Sequence, residues 1–202
     1  MSYQRCRIVL ICLLVLLATS PLLCGDEKPT VNAVQKGTDL GNYVPTTTTW
    51  VVVSPTLPKY NGNNTCLAGV YREEKTISIY AQTEDKHVWQ LLQAVDRALR
   101  NHPEIKAYVV INKPLRDSGG TNLSTERFFE TKALALAHKF RQIDVSLCRS
   151  PSKLLFDKNT LVKFVYSEQR IVKMSRSFSK TDQSLKEAAA LIKTVFRISS
   201  AR

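Results

Sequence analysis

The stretch from Lys75 to Ile111 admits few folds. Thr76-Ile-Ser-Ile-Tyr-Ala81 is a short β-rich run, and Ile105-Lys-Ala-Tyr-Val-Val-Ile111 is a second, β-branched enough to be buried. Between them Val88, Leu91, Leu92, Val95 and Leu99 recur at i, i+3, i+4, i+7 and i+11, the apolar stripe of an amphipathic helix. Thr83 is placed to cap that helix, with Glu84 and Asp85 in its first turn, where the helix dipole favours negative charge. His102-Pro103 ends it. Strand, helix and strand in this order make a βαβ unit, two parallel strands joined by a right-handed crossover.

The flanking chain extends the unit. Thr46 to Val53, Thr- and Val-rich with Trp50, reads as an earlier strand, and residues 54–65 as a loop holding Pro55, Pro58 and Gly62. Past a Pro/Gly-rich loop at 113–123, Ser124 or Thr125 opens a second helix carrying Phe128, Phe129, Leu134, Leu136, Ala137 and Phe140. In Ile143 to Leu147 the apolar Ile143, Val145 and Leu147 alternate with Asp144 and Ser146, with Cys148 in phase with the polar set. Leu161–Tyr166 and Ile171–Met174 flank Ser167-Glu-Gln-Arg170 as a β-hairpin, and a last helix from about Thr181 to Phe196 carries Leu185, Ala188, Ala189, Ile192, Val195 and Phe196. The order β-β-α-β-α-β-β-β-α predicts an α/β sandwich with a mixed sheet of about five strands and helices on both faces.

The N-terminus sets the compartment. Arg5 and Arg7 precede an apolar run from Ile8 to Leu17, and Ala18-Thr-Ser-Pro21 and Leu22-Leu-Cys-Gly25 lead to Asp26-Glu27. Charged start, apolar middle and small residues before a polar boundary are the parts of a signal peptide. The rival is an uncleaved anchor: residues 8 to 25 only just reach the roughly 18–20 apolar residues of a span, and Pro21 interrupts them. Lipoprotein processing at Cys24 is a third option, with bulky Leu23 against it. The reading is a signal over 1–25, an irregular lead over 26–46 and a single domain over 47–202, exported to a periplasmic or extracellular space.

Charge and cysteine narrow the classes. The chain carries a formal +12, which becomes +10 without Arg5 and Arg7, and residues 150–202 hold eleven Lys/Arg against four Asp/Glu. An exported protein with scattered cations and no aromatic interleaving is not expected to meet nucleic acid. Solubility, or an anionic envelope or matrix polymer, accounts for such a surface, and a membrane partner is expected only if the signal stays. With Cys6, Cys12 and Cys24 assigned to the signal segment, Cys66 and Cys148 remain, too few for a disulfide-stapled scaffold.

Two segments carry a resemblance. Cys66-Leu-Ala-Gly-Val-Tyr-Arg-Glu-Glu-Lys-Thr-Ile-Ser-Ile-Tyr80 is a Cys-bearing segment leading into a strand. Glu84 to Ile111 is a helix ending in Asn101-His102-Pro103 before another. Together they resemble exported thioredoxin-like proteins of bacteria over residues 47–197, which implies a thioredoxin-like three-layer sandwich. In a redox-active thioredoxin the dithiol follows the first core strand; the matching residues here are Gln82-Thr-Glu-Asp-Lys86, without sulfur. The upstream segment, which in such relatives reads Cys-x-x-Cys, has Gly69 in the second place.

The resemblance therefore implies a thioredoxin-like domain without its redox dithiol, not expected to be an enzyme and acting through binding or as an envelope component. The alternative is a single-cysteine thiol oxidoreductase or redox sensor using Cys66, the one residue with a claim to catalysis. A Cys66–Cys148 disulfide is a further option; closing that loop would add roughly 4 kcal/mol. His87, His102 and His138 are far apart, and no metal-ligand spacing, phosphate loop or nucleophile elbow is present, so no metal or other cofactor is expected. Trp89 and Phe128-Phe129 read as core.

Overall fold

A computed structural model describes residues 39–113, 122–148, 160–179, 187 and 190–196. Its strands are β1 (Thr49–Val53), β2 (Asn64–Thr65), β3 (Lys75–Ala81), β4 (Ile105–Ile111), β5 (Ile143–Cys148), β6 (Val162–Glu168) and β7 (Ile171–Phe178). The helices are α1 (Leu67–Val70), α2 (Lys86–Leu99) and α3 (Ser124–His138), and residues 190–196 are helical. The readings for residues 1–38, for residues 114–121 of the Pro/Gly-rich loop and for Leu185, Ala188 and Ala189 lie outside the described residues. Among those described, no helix is long and apolar enough to cross a membrane.

The sheet has seven strands in the order β2-β1-β5-β4-β3-β6-β7, not about five. The βαβ reading holds: β3 pairs parallel with β4 from Lys75↔Ile105 to Ala81↔Ile111, and β4 pairs parallel with β5. The hairpin β6–β7 adds antiparallel on the other side of β3. The extra width comes from the N-terminal side. β1 joins the same sheet antiparallel to β5, and Asn64–Thr65, inside the segment read as a loop, turns back to pair with β1.

Helices meet both faces of the sheet, though unequally. Val88, Leu91, Leu92, Val95 and Leu99 of α2 share one core with Phe128 and Ala135 of α3 and with Ile192, Val195 and Phe196. The sheet residues beneath them include Ile77, Ile79, Val109, Ile143, Val145 and Leu147. The crossovers β3-α2-β4 and β4-α3-β5 step the same way across the sheet, so one handedness puts both helices on the same face. Among the described residues the second face is covered by four-residue α1, by the chain around it and by Val44 of the lead, over Val51, Tyr80, Tyr108, Val110, Cys148 and Val165.

Local signals shift by a residue or two. Asp85, not Thr83, caps α2, its Oδ1 accepting from the His87 amide at 2.8 Å, which leaves Glu84 outside the helix. In α3 the inward residues are Phe128, Thr131 and Ala135, while Phe129, read as core, and Leu136 are 60% and 55% exposed. The apolar residues of α3 do not share one stripe, and the helix can bury only the set facing the sheet. The hairpin turns on Gln169 and Arg170 alone, at φ of 49° and 66°.

Candidate functional site

The position where the resemblance places a dithiol is a charged clamp. The Glu84 carboxylate accepts from Lys113 Nζ, just past β4, and from Thr131 Oγ1 of α3. Lys113 Nζ also reaches Glu130 Oε2 at 2.8 Å, and Arg127 donates to the same oxygen at 3.0 Å. These contacts tie the entry of α2 to α3, and Gln82–Lys86 bring no thiol among them. The histidines are likewise placed in packing. His87 Nδ1 lies 2.6 Å from Asp85, His138 stacks on Trp89 at 5.1 Å, and His102 stacks on Phe196 at 4.0 Å. Among the described residues no group of three His, Cys, Asp or Glu could hold a metal ion.

Chemistry gathers instead on the second face. Its anchor is Asp144 of β5, read from sequence as the polar side of a strand and in fact fully buried. The segment 54–71 closes over it with hydroxyls. Ser54 Oγ donates to Oδ1 at 2.8 Å, Thr56 Oγ1 to Oδ2 at 2.9 Å, and the Tyr71 hydroxyl also donates to Oδ2. Burial pushes the Asp144 carboxyl above its ordinary range, against the lowering effect of these donors. Burial, joined by the Asp144 charge, pushes the Tyr71 phenol up as well. Beside this network Thr56, Leu57, Val70, Tyr71, Glu74 and Lys106 line a cleft of about 250 Å³.

Cys66 stands at the other end of the same segment, as the N-cap of α1, with an extended backbone at φ −93° and ψ 97°. It is partly buried and packs against the second-face cluster. One turn on, the Gly69 amide donates to the Cys66 carbonyl at 3.0 Å. A Cβ at Gly69 would stand 3.7 Å from Cys66 Sγ and 3.8 Å from its Cβ. Tyr80 and Tyr108 belong to the cluster under α1, and Leu67 and Ala68 line a small cavity with them. The two tyrosines are 1% and 2% exposed, and among the described residues neither hydroxyl, nor Ser78 Oγ beside them, meets a partner in full hydrogen-bond geometry. These hydroxyls lie near enough to affect one another's ionisation without reaching hydrogen-bonding geometry, and a charge on Cys66 bears on both phenols. Burial raises both, Tyr108 to about 12, so at neutral pH each is an un-ionised donor.

Cys148 lies in the same cluster, 3% exposed at the end of β5. Cys66 and Cys148 are both thiols. Thr49 of β1 pairs with Thr65 on one side and with Cys148 on the other, so a strand separates the two cysteine-bearing segments. Sequence reasoning singled out Cys66, Gly69 and Cys148 and missed Ser78, Tyr80 and Tyr108. Those three sit in apolar strands, and only the fold shows that their hydroxyls converge.

The chain matches no family model and no curated protein. Among solved structures it is similar to a thiol peroxidase from Chromobacterium violaceum, with a TM-score of 0.51, 12% identity and coverage of 77% of this chain and 87% of the other. It is also similar to a peroxiredoxin-like protein from Aquifex aeolicus, with a TM-score of 0.50, 8% identity and coverage of 76% and 87%. The fold is thioredoxin-like.

Proposed function

We propose that this chain is an exported thioredoxin-like thiol protein that works through one cysteine, Cys66, as an oxidoreductase or redox sensor, without a vicinal dithiol. The observation that carries the reading is a partly exposed thiol at a turn, packed against the buried cluster that holds Tyr80 and Tyr108. A thiolate is the reactive form of such a group, and a partly exposed sulfur is within reach of a soluble oxidant. The fold supports the reading, since the similar structures include a thiol peroxidase. Cys148, buried at the end of β5, is the inert comparator.

The test is a thiol titration of the folded chain beside Cys66→Ser and Cys148→Ser variants. The reading expects Cys66 to react well ahead of Cys148. It also expects a Cys66 sulfenic acid after peroxide treatment, trapped by dimedone and absent from Cys66→Ser. A Cys66 that reacts no faster than a cysteine in the denatured chain, and gives no adduct, refutes the redox reading and returns the domain to a binding role. Export is tested separately: cells should release a mature form beginning between about residues 19 and 27. A soluble cytoplasmic form beginning at Met1 would refute it.

A further inference from the structure

Helix α3 buries one side and leaves another that is also apolar. Phe128, Thr131 and Ala135 face the sheet. Phe129, Ala133 and Leu136 are exposed. At 3.6 residues per turn, positions 129, 133 and 136 fall within roughly 60° of one another, so they form one outward stripe at i, i+4 and i+7. Ala133 stands at its middle, small enough to let a second helix axis come close. A charge stands at each end, Glu126 in the first turn and Lys139 at the C-cap. Both are exposed, and neither has an ion pair among the described residues.

The order of these residues is self-complementary. Phe129 and Leu136 lie equally far from a point between Lys132 and Ala133, and Glu126 and Lys139 lie equally far from the same point. An antiparallel second copy of α3, related by a twofold axis at that point, sets each Phe129 against the other copy's Leu136. It also brings each Glu126 to the end of the contact where the other copy's Lys139 stands. Parallel copies would set Glu126 on Glu126 and Lys139 on Lys139, and would align the two helix dipoles rather than oppose them. Lys132, beside the axis, is the one charge that meets its own copy in the antiparallel pair.

We infer that this chain associates with a second copy of itself through the outer stripe of α3, as an antiparallel, twofold-symmetric helix pair. Such an isologous contact closes on two copies. Its 15 residues make a helix about 22 Å long. One helix face buries less than the roughly 1,200 Å² at which stable interfaces begin, so the pair is reversible, with a dissociation constant on the order of tens of micromolar. Because α3 packs on the first face of the sheet and Cys66 on the second, pairing leaves both copies of the thiol face open.

Sedimentation equilibrium of the full chain over about 1–300 µM should show monomer passing to dimer. Phe129→Gln is the reference, since it keeps the same N-terminal apolar run and alters an exposed side chain; it should weaken pairing by at least about tenfold with its thermal midpoint unchanged. Glu126→Lys should weaken pairing about fivefold, and adding Lys139→Glu should restore it. Lys132→Ala should strengthen it. On oxidation, Ala133→Cys combined with Cys66→Ser should give a disulfide-linked dimer, because the two copies of position 133 meet at the axis. Glu126→Cys in the same background should not, its two copies standing about 20 Å apart. A chain monomeric throughout overturns the inference, as does a dimer indifferent to Phe129→Gln. Cross-linking at position 126 as readily as at 133 refutes the antiparallel pair. A monomer whose cosedimentation with anionic phospholipid vesicles is lost in Phe129→Gln gives the stripe to a membrane surface and equally overturns it.

Discussion

Replacing Tyr71 by Phe tests what holds the Cys66 segment on the sheet. Tyr71 follows α1 directly, and its hydroxyl donates to Asp144 Oδ2 and lies 2.6 Å from Thr56 Oγ1. Phenylalanine keeps the ring and its stacking on Tyr108, 6.3 Å between centroids, so no large cavity opens. The loss is one hydrogen bond to a buried acid, for which the range is about 1.5–3 kcal/mol. Asp144 retains Ser54 Oγ and Thr56 Oγ1, so its charge is not stranded. The cost should therefore be about 2 kcal/mol, below the roughly 3–5 of a buried pair stripped of one partner. For a chain of this size that is a fall of about 4–8 °C in thermal midpoint. The folded carboxyl of Asp144 holds its proton to higher pH than the unfolded one, so between those two values the folded state binds more protons. Wild-type stability therefore gains from Asp144 at acid pH and loses that gain as pH rises through the raised folded value. Below the ordinary carboxylate value the acceptor is neutral, and the cost of Tyr71→Phe should shrink toward that of a neutral hydrogen bond, about 1 kcal/mol. Urea unfolding at pH 7 and pH 3.5 measures both, and alkylation of Cys66 should speed up in the variant as the segment opens more often. A loss under about 0.5 kcal/mol at pH 7, or an equal loss at both pH values, refutes the anchoring argument.

Lys113→Met should cost up to about 3 kcal/mol in denaturant unfolding, because Glu84 would be left nearly buried with Thr131 alone, and Lys113→Arg should recover most of it. An unchanged midpoint in Lys113→Met would show the clamp to be idle. Gln169→Gly should raise stability by about 1 kcal/mol, since a side chain at φ 49° is strained and glycine is not. Arg170→Gly should gain less, because it also gives up the guanidinium set 5.6 Å from the Tyr43 ring centre. Thermal midpoints of wild type with and without reductant should coincide, as both cysteines are thiols; a fall of several degrees in reductant would reveal a Cys66–Cys148 bridge of roughly 4 kcal/mol.

What the sequence makes legible here follows the range of the interaction. The β3-α2-β4 unit is readable because its stripe and its strands are each defined within a few residues of themselves. The capping of α2 is readable to within two residues, Thr83 and Asp85 both being able side chains and only packing choosing between them. The second face is not readable, because what buries it arrives from far along the chain. Ser54 and Tyr71 lie 90 and 73 residues from Asp144, and nothing local distinguishes that aspartate from a solvated strand residue. The same holds for β2, a two-residue strand that exists only because β1 offers it an edge. Cys66 stands out in the sequence as a lone thiol, but the hydroxyls that give it surroundings are hidden in runs that read as plain core.

The two faces divide the work of the domain. On the first, the entry of α2 is bound by Glu84, Lys113, Glu130 and Arg127, whose charges are paired with one another. That clamp holds the helix entry and contains no sulfur. On the second, Cys66 packs against the buried cluster that holds Tyr80 and Tyr108, with Gly69 one turn on. Asp144 and its three donors then bear on function through position, since they fix the segment that carries the thiol to the sheet that carries the phenols. The Tyr71→Phe variant therefore separates support from chemistry: the thiol, the glycine and both phenols remain, and only their register is loosened. If redox chemistry at Cys66 depends on that register, the variant should alkylate faster yet form the sulfenic adduct more slowly. If both rates rise together, Cys66 is merely an exposed thiol, and the arrangement around it has no part in its reactivity.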